Sequence, residues 1–222
     1  MKYKVVEIFD SIDGEGIRTG MTASFVRLAG CNLRCSYCDT LYALFGENEP
    51  CRYIEMTAEE IVNRVKYKRV TITGGEPMIA PGITDLIKAF AQNGCEVNIE
   101  TNGAADITPA VGMKNVFFTI DYKLPSSGEC DKMRWENFLK LKKSDVVKFV
   151  AGSDEDLEKM LATVKRLKKE CHEMPQLFAG AVFGKLELKR LTEFILENDE
   201  LSEVRVQIQL HKLIWNPDAR GV

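Results

Sequence analysis

The stretch Arg69-Val-Thr-Ile-Thr-Gly-Gly-Glu-Pro77, followed by Ile83–Asn93, Gly94 and Cys95-Glu-Val-Asn-Ile-Glu-Thr101, sets the fold. Arg69–Thr73 is β-branched and reads as a short strand. Ile83–Asn93 reads as a helix ended by Gly94. Cys95–Thr101 reads as a second strand. Strand, helix and strand in that order make a parallel βαβ unit. On the N-terminal side, Lys4–Phe9 and Ser24–Leu28 read as strands joined by a Gly-rich loop over 10–20. A second loop, 29–40, carries three cysteines, and 41–56 is irregular, with Gly46 and Pro50. Thr57-Ala-Glu-Glu60 resembles a capping box ahead of an apolar stripe of Ile61, Val62 and Val65.

On the C-terminal side the alternation continues. Asn115–Ile120, Asp145–Val150, Gln176–Val182 and Glu203–Leu210 read as strands, and Trp135–Leu141 and Leu186–Asn198 as helices. Ser153 caps a helix running to about Glu170, with Leu157, Leu161, Val164 and Leu167 on its buried face. The expected fold class is α/β: an incomplete, TIM-like barrel of about six mostly parallel strands with helices outside. No linker or repeat divides residues 1–222, so one domain is expected. Functional loops then belong at the C-terminal ends of the strands. The cysteine loop, Thr73–Pro77 and Thr101-Asn-Gly103 all follow strands.

Composition is that of an ordinary globular chain, and the net charge is −3 from 30 basic and 33 acidic residues. No general attraction to nucleic acid or an anionic membrane follows. No apolar run approaches the ~20 residues of a membrane span, and the N-terminus lacks a signal-peptide core, so a cytoplasmic location is expected. The Lys-rich run 165–169 reads as a solvated helix face. Of seven cysteines, three crowd into eight residues. Cys51, Cys95, Cys130 and Cys171 are scattered and read as structural thiols.

Cys31-Asn-Leu-Arg-Cys35-Ser-Tyr-Cys38 has the spacing C-x3-C-x2-C. Three thiolates from one loop can ligate three irons of a cubane [4Fe–4S] cluster and leave the fourth iron open. A structural zinc site ordinarily takes four protein ligands and paired C-x2-C knuckles, and only one such pair exists here. The triplet, with Tyr37 before its last cysteine, is similar to the signature of the radical S-adenosylmethionine superfamily. Gly74-Gly75-Glu76-Pro77 resembles that superfamily's second motif, which binds the amino group of the cofactor's methionine. The glycines allow close backbone approach, and an amine suits carbonyls and a carboxylate. The resemblance implies that the cofactor chelates the open iron and yields a 5′-deoxyadenosyl radical that abstracts hydrogen from a substrate.

A narrower resemblance covers nearly the whole chain. Glu7–Gly16, Phe25–Thr40, Thr73–Pro77, Glu100–Gly103 and Leu210–Val222 look like the family of 7-carboxy-7-deazaguanine synthases, lyases of queuosine and deazapurine biosynthesis. The implied reaction is radical ring contraction of 6-carboxy-5,6,7,8-tetrahydropterin with loss of ammonia. Mg²⁺, a reductant protein such as flavodoxin and a homodimer are implied as well. By motif, Ile12, Asp13 and Gly14 match a segment that meets the pterin largely through backbone. Glu15 shares that loop, and its carboxylate suits pterin N–H donors. Arg27 matches a partner of the substrate carboxylate, Thr40 a Mg²⁺ ligand, Thr73 and His211 substrate neighbours, and Val222 a terminal carboxylate reaching the substrate. Tyr37, Asp39, Gly75 and Asp121-Tyr122-Lys123 match cofactor contacts.

Read without the resemblance, Arg27 is an ordinary ion-paired arginine, Thr40 a loop hydroxyl and Glu15 a turn acid. Continued strand alternation gives Arg205, Gln207, Gln209 and His211 one polar face, either exposed or lining the lumen, against apolar Val204, Val206, Ile208 and Leu210. Two departures stand out: many relatives carry Gln at position 13, and many carry Ser-Pro-Lys at 121–123. The segment 41–56 reads as a lid or a docking site for an electron donor. The alternatives are a radical activase that installs a glycyl radical on a partner protein, and a cluster-bearing electron carrier or sensor.

Overall fold

The computed structural model describes residues 1–45, 51–216 and 219–222. One sheet holds nine strands: β1 (Lys2–Ile12), β2 (Thr22–Leu28), β3 (Ile54–Thr57), β4 (Arg69–Gly74), β5 (Glu96–Thr101), β6 (Val116–Tyr122), β7 (Val146–Ala151), β8 (Gln176–Ala181) and β9 (Val204–Val206). Their order is β3-β1-β2-β4-β5-β6-β7-β8-β9. From β2 to β9 every neighbouring pair is parallel. The β1–β2 hairpin and the β1–β3 pair are antiparallel.

The helices are α1 (Ala58–Val62), α2 (Ile83–Gln92), α3 (Trp135–Phe138), α4 (Asp154–Glu170), α5 (Leu188–Glu197) and α6 (Leu210–Ile214). Local chemistry explains their ends. Thr57 and Glu60 exchange side-chain and backbone bonds in a complete capping box before α1. Ser153 accepts from the Asp156 amide at the start of α4; acids fill that helix's first turn and Lys168 and Lys169 its last, matching the helix dipole. Leu157, Met160, Val164 and Leu167 on α4 are fully buried. Each contributes roughly 1.5–3 kcal/mol by leaving water. Outer strand faces, such as Val97 and Ile99 on β5 and Val147 and Phe149 on β7, join the same core.

The structure corrects three expectations. The fold class holds, but among the described residues nine strands form, the eight ranges read above and β3, where the barrel was expected to hold about six. The unread strand, β3, lies mostly within the stretch 41–56 read as irregular. Residues 46–50, the middle of that stretch, lie outside the described residues, so the part of the lid or docking-site reading that falls on them does too. The last strand stops at Val206, not Leu210. The Gln207 amide still donates to Ala179 O (2.8 Å), but the Leu210 amide turns away to Gly14 O (3.1 Å), and α6 begins. The polar face turns inward beyond Arg205: Gln207 is buried and Gln209 and His211 line the cavity, while Val206 and Ile208 are exposed. His211 lies on a helix.

Between β9 and the β1–β2 hairpin the sheet stays open. The hairpin loop closes this gap by reaching Gln207, whose side chain accepts from the Gly16 amide (3.0 Å) and donates to Glu15 Oε1 (3.2 Å). Below, Arg18 reaches the N-terminal ends of β4 and β5, donating to Thr71 Oγ1 (2.6 Å), Val70 O and Glu96 O (3.4 Å each). Its Nε sits 2.9 Å from Asp13 Oδ2, with both side chains buried. The loop thus forms the floor of the partial barrel.

Candidate active site

The loops after β2, β4 and β5 interlock at the top of the barrel. Glu76 N donates to Gly30 O (2.8 Å) and Gly75 N to Leu28 O (3.2 Å). A Cβ on Gly74, at φ +147°, would lie 2.1 Å from Leu28 O, and one on Gly75 would lie 2.2 Å from Gly30 O. Only glycine permits this approach, so the pair fixes where the cysteine loop leaves its strand. Glu76 is fully buried and accepts from Thr101 Oγ1 (2.7 Å), Asn102 N (2.6 Å) and Met78 N (2.9 Å). Burial raises its pKa above the usual range, and these donors offset part of the rise. Asn102 in turn points Nδ2 at Cys31 Sγ (3.6 Å) and at Asn32 Oδ1 (2.9 Å).

Arg34 folds the cysteine loop. Its guanidinium donates to the carbonyls of Cys31 (3.0 Å), Leu33 (2.7 Å) and Phe45 (2.8 Å), and its amide donates to Glu129 (2.6 Å). Ser36 ties the other end to the carbonyls of Ser126 and Ser127. Cys31, Cys35 and Cys38 then open on one cavity of about 570 Å³. All three thiols are free of disulfides. Burial pushes Cys35 up to about 11, and Cys38 is raised for the same reason. Three thiols from one loop facing one cavity fit an iron–sulfur cluster with one iron left open.

The cavity runs from these thiols to the hairpin loop. Ile12, Gly14, Glu15, Arg27, Tyr37, Asp39, Thr40, Thr73, Gly74, Gly75, Asp121, Lys123, His211 and Val222 all line it. The Phe9 and Phe25 rings stack at 4.9 Å and 6° beside it. His211 stands against Gly14, where a Cβ would meet Nδ1 at 2.6 Å, so that glycine makes room for the imidazole. Burial lowers the His211 pKa more than Glu15 raises it, which keeps the ring neutral at pH 7. Arg27 donates through Nε to Glu7 (2.6 Å), which also accepts from Tyr42 OH (2.9 Å). The Arg27 Nη groups make no hydrogen bond among the described residues.

Three expected site residues turn their side chains elsewhere. Asp13 turns its carboxylate into the floor beside Arg18 and Thr71, and burial outweighs Arg18 to push it up to about 6. The Glu76 carboxylate is taken up by internal donors, so the turn meets the cavity through Gly74 and Gly75. Tyr122 packs in the core against Phe138 (5.3 Å) and Phe149 (5.7 Å). Sequence reasoning missed Glu100, Lys148 and Arg220, which also line the cavity. Lys148 had a signal: a lone charge inside the apolar strand Val146–Ala151 is costly unless paired.

A parallel partial barrel whose strand ends present three cysteines and a glycine-walled turn defines a radical S-adenosylmethionine enzyme, and the model of the Radical SAM superfamily matches residues 25–116. A 7-carboxy-7-deazaguanine synthase of Clostridium acetobutylicum is 40% identical, with both chains fully covered. One of Chlorobaculum tepidum is 39% identical over 98% of this chain and 96% of its own. The chain belongs to the 7-carboxy-7-deazaguanine synthase family. The crystal structure of QueE from Escherichia coli shares the fold, with a TM-score of 0.75, 23% identity and 95% of each chain covered. These relatives favour the synthase over the glycyl-radical activase. No helix of the described residues is long and apolar enough to cross a membrane.

Proposed function

We propose that this protein converts 6-carboxy-5,6,7,8-tetrahydropterin to 7-carboxy-7-deazaguanine and ammonia, a net redox-neutral ring contraction. The observation that carries the reading is one cavity with thiols at one end and Glu15, Arg27 and His211 at the other. The cluster on Cys31, Cys35 and Cys38, with S-adenosylmethionine, supplies the 5′-deoxyadenosyl radical that starts the reaction. Gly74 and Gly75 admit the cofactor's methionine, and Asp121 and Lys123 face its nucleoside. Glu15 accepts from the pterin's amino and ring N–H groups. Neutral His211 and the backbone of Ile12, Asp13 and Gly14 hold the ring's edge, with Thr73 beside it. The free Nη groups of Arg27 pair with the substrate carboxylate.

Thr40, the substrate carboxylate and waters hold Mg²⁺ in this reading, with Val222 closing the site from the C-terminal side. A small reductant protein such as flavodoxin feeds the cluster. The enzyme acts as a cytoplasmic homodimer of single-domain chains. The test is anaerobic turnover of the reconstituted, reduced protein with S-adenosylmethionine, Mg²⁺ and the pterin. Mass spectrometry finds 7-carboxy-7-deazaguanine with the wild type and none with Cys35→Ala. Cofactor cleavage without that product would overturn the substrate assignment.

A further inference from the structure

Lys148 is one of the charged cavity residues that the reading above leaves without a task. It projects from the middle of β7 beside Asp121, its register partner on β6. Its Nζ lies 2.9 Å from Glu15 Oε2 and 3.7 Å from Asp121 Oδ2, and its side chain is nearly buried. Burial alone would lower its pKa, but Glu15, Asp121 and Glu100 outweigh that and raise it well above the ordinary value. The ammonium is therefore a fixed charge and not a proton donor near neutral pH.

The two carboxylates it touches belong to opposite halves of the cavity. Glu15 comes from the hairpin loop and is held at its other oxygen by Gln207 (3.2 Å). Asp121 comes from the end of β6, where Lys123 also grips Oδ2 (2.9 Å). Asp121 Oδ1 is buried and has no hydrogen-bond partner among the described residues. A carboxylate oxygen sealed without a donor is costly, and the residue that carries it lines the cavity.

We propose that Lys148 is a positioning residue that couples the pterin and S-adenosylmethionine sites. One ammonium is shared by Glu15, which serves the pterin, and Asp121, which serves the cofactor. Whichever ligand binds first orders the Glu15–Lys148–Asp121 chain. The second ligand then meets an ordered partner and binds more tightly. Linkage makes the effect reciprocal: each ligand raises affinity for the other by the same factor.

This inference rests on the substrate reading above, and its test separates the two. Anaerobic calorimetry on the reconstituted, unreduced holoprotein measures S-adenosylmethionine affinity with and without saturating 6-carboxy-5,6,7,8-tetrahydropterin, so that no turnover intervenes. In the wild type the pterin is expected to tighten cofactor binding about five-fold or more. Lys148→Met, with iron and sulfide content matching the wild type, is expected to bring the factor to about one, and Lys148→Arg to retain part of it. A Lys148→Met protein with the wild-type factor overturns the proposal, as does a wild-type factor of one with the pterin bound. Pterin that fails to bind the wild type at all overturns the substrate reading, and the coupling with it.

Discussion

The β1–β2 hairpin loop carries two ion pairs that look alike on paper and differ in surroundings. Asp13 and Arg18, 2.9 Å apart, are sealed under the barrel against Thr71 and the Phe117 ring. Glu15 and Lys148, also 2.9 Å apart, face the cavity. The floor pair lies off the cavity, and Arg18 spends its other donors on Thr71, Val70 and Glu96. The lumen pair belongs to a longer chain, through Asp121 to Lys123, whose members all line the cavity. Burial away from the cavity makes the first a fastener. A place on the cavity wall makes the second part of the binding surface.

The largest expected effect comes from cutting the fastener. Arg18→Gln leaves the Asp13 carboxylate buried without its cation and should lower stability by about 3–5 kcal/mol, read from chemical denaturation. Glu15→Gln should leave the melting temperature nearly unchanged, because Lys148 keeps Asp121. It should lower kcat/KM for the pterin by about 10–100-fold, the loss of one charged hydrogen bond. Equal effects of the two substitutions on both readouts would erase the distinction between the pairs.

Proton linkage sharpens the same contrast. Burial raises Asp13 to about 6 in the folded protein from an ordinary value of 3.8. The folded state therefore binds more protons between those values, and this group's contribution to stability is full below about pH 4 and falls as pH rises through 6. The stability of the wild type relative to Asp13→Asn should drop by on the order of 2–3 kcal/mol from pH 4 to 7. A relative stability that rises over that range would show that Arg18, not burial, governs the carboxylate. The smallest effect marks the baseline: Lys189→Ala removes an exposed i,i+4 contact with Glu193 and should change stability by no more than about 0.5 kcal/mol in the same assay.

What the sequence disclosed followed the range of the interaction. Thr57 with Glu60 and Ser153 with Asp156 act within three residues, and those helix starts were legible. The cysteine triplet and the glycine turn were legible because each compresses its chemistry into a few positions. Gln207 with Gly16 lie 191 residues apart, Glu15 with Lys148 lie 133, and Arg18 with Thr71 lie 53. No local pattern announces such partners. The misreading of Glu203–Leu210 as one strand has the same origin: alternation continued in the letters, while the Gly14 carbonyl drew Leu210 out of the ladder. Asp13 shows the converse, a residue in the right motif whose side chain is claimed by a distant arginine.

The seam between the hairpin loop and Gln207 also bears on how the chain comes off the ribosome. From β5 onward each new strand pairs with the one made just before it, so the sheet can grow in the order of synthesis. The contacts that close the gap wait for Gln207 and Leu210 to emerge. Until then the nascent protein presents three thiols in a trough open along one side. Sealed chemistry is thus a property acquired only once residues 207–210 have joined the fold, and cluster insertion before that moment meets a site still open to water and oxidants.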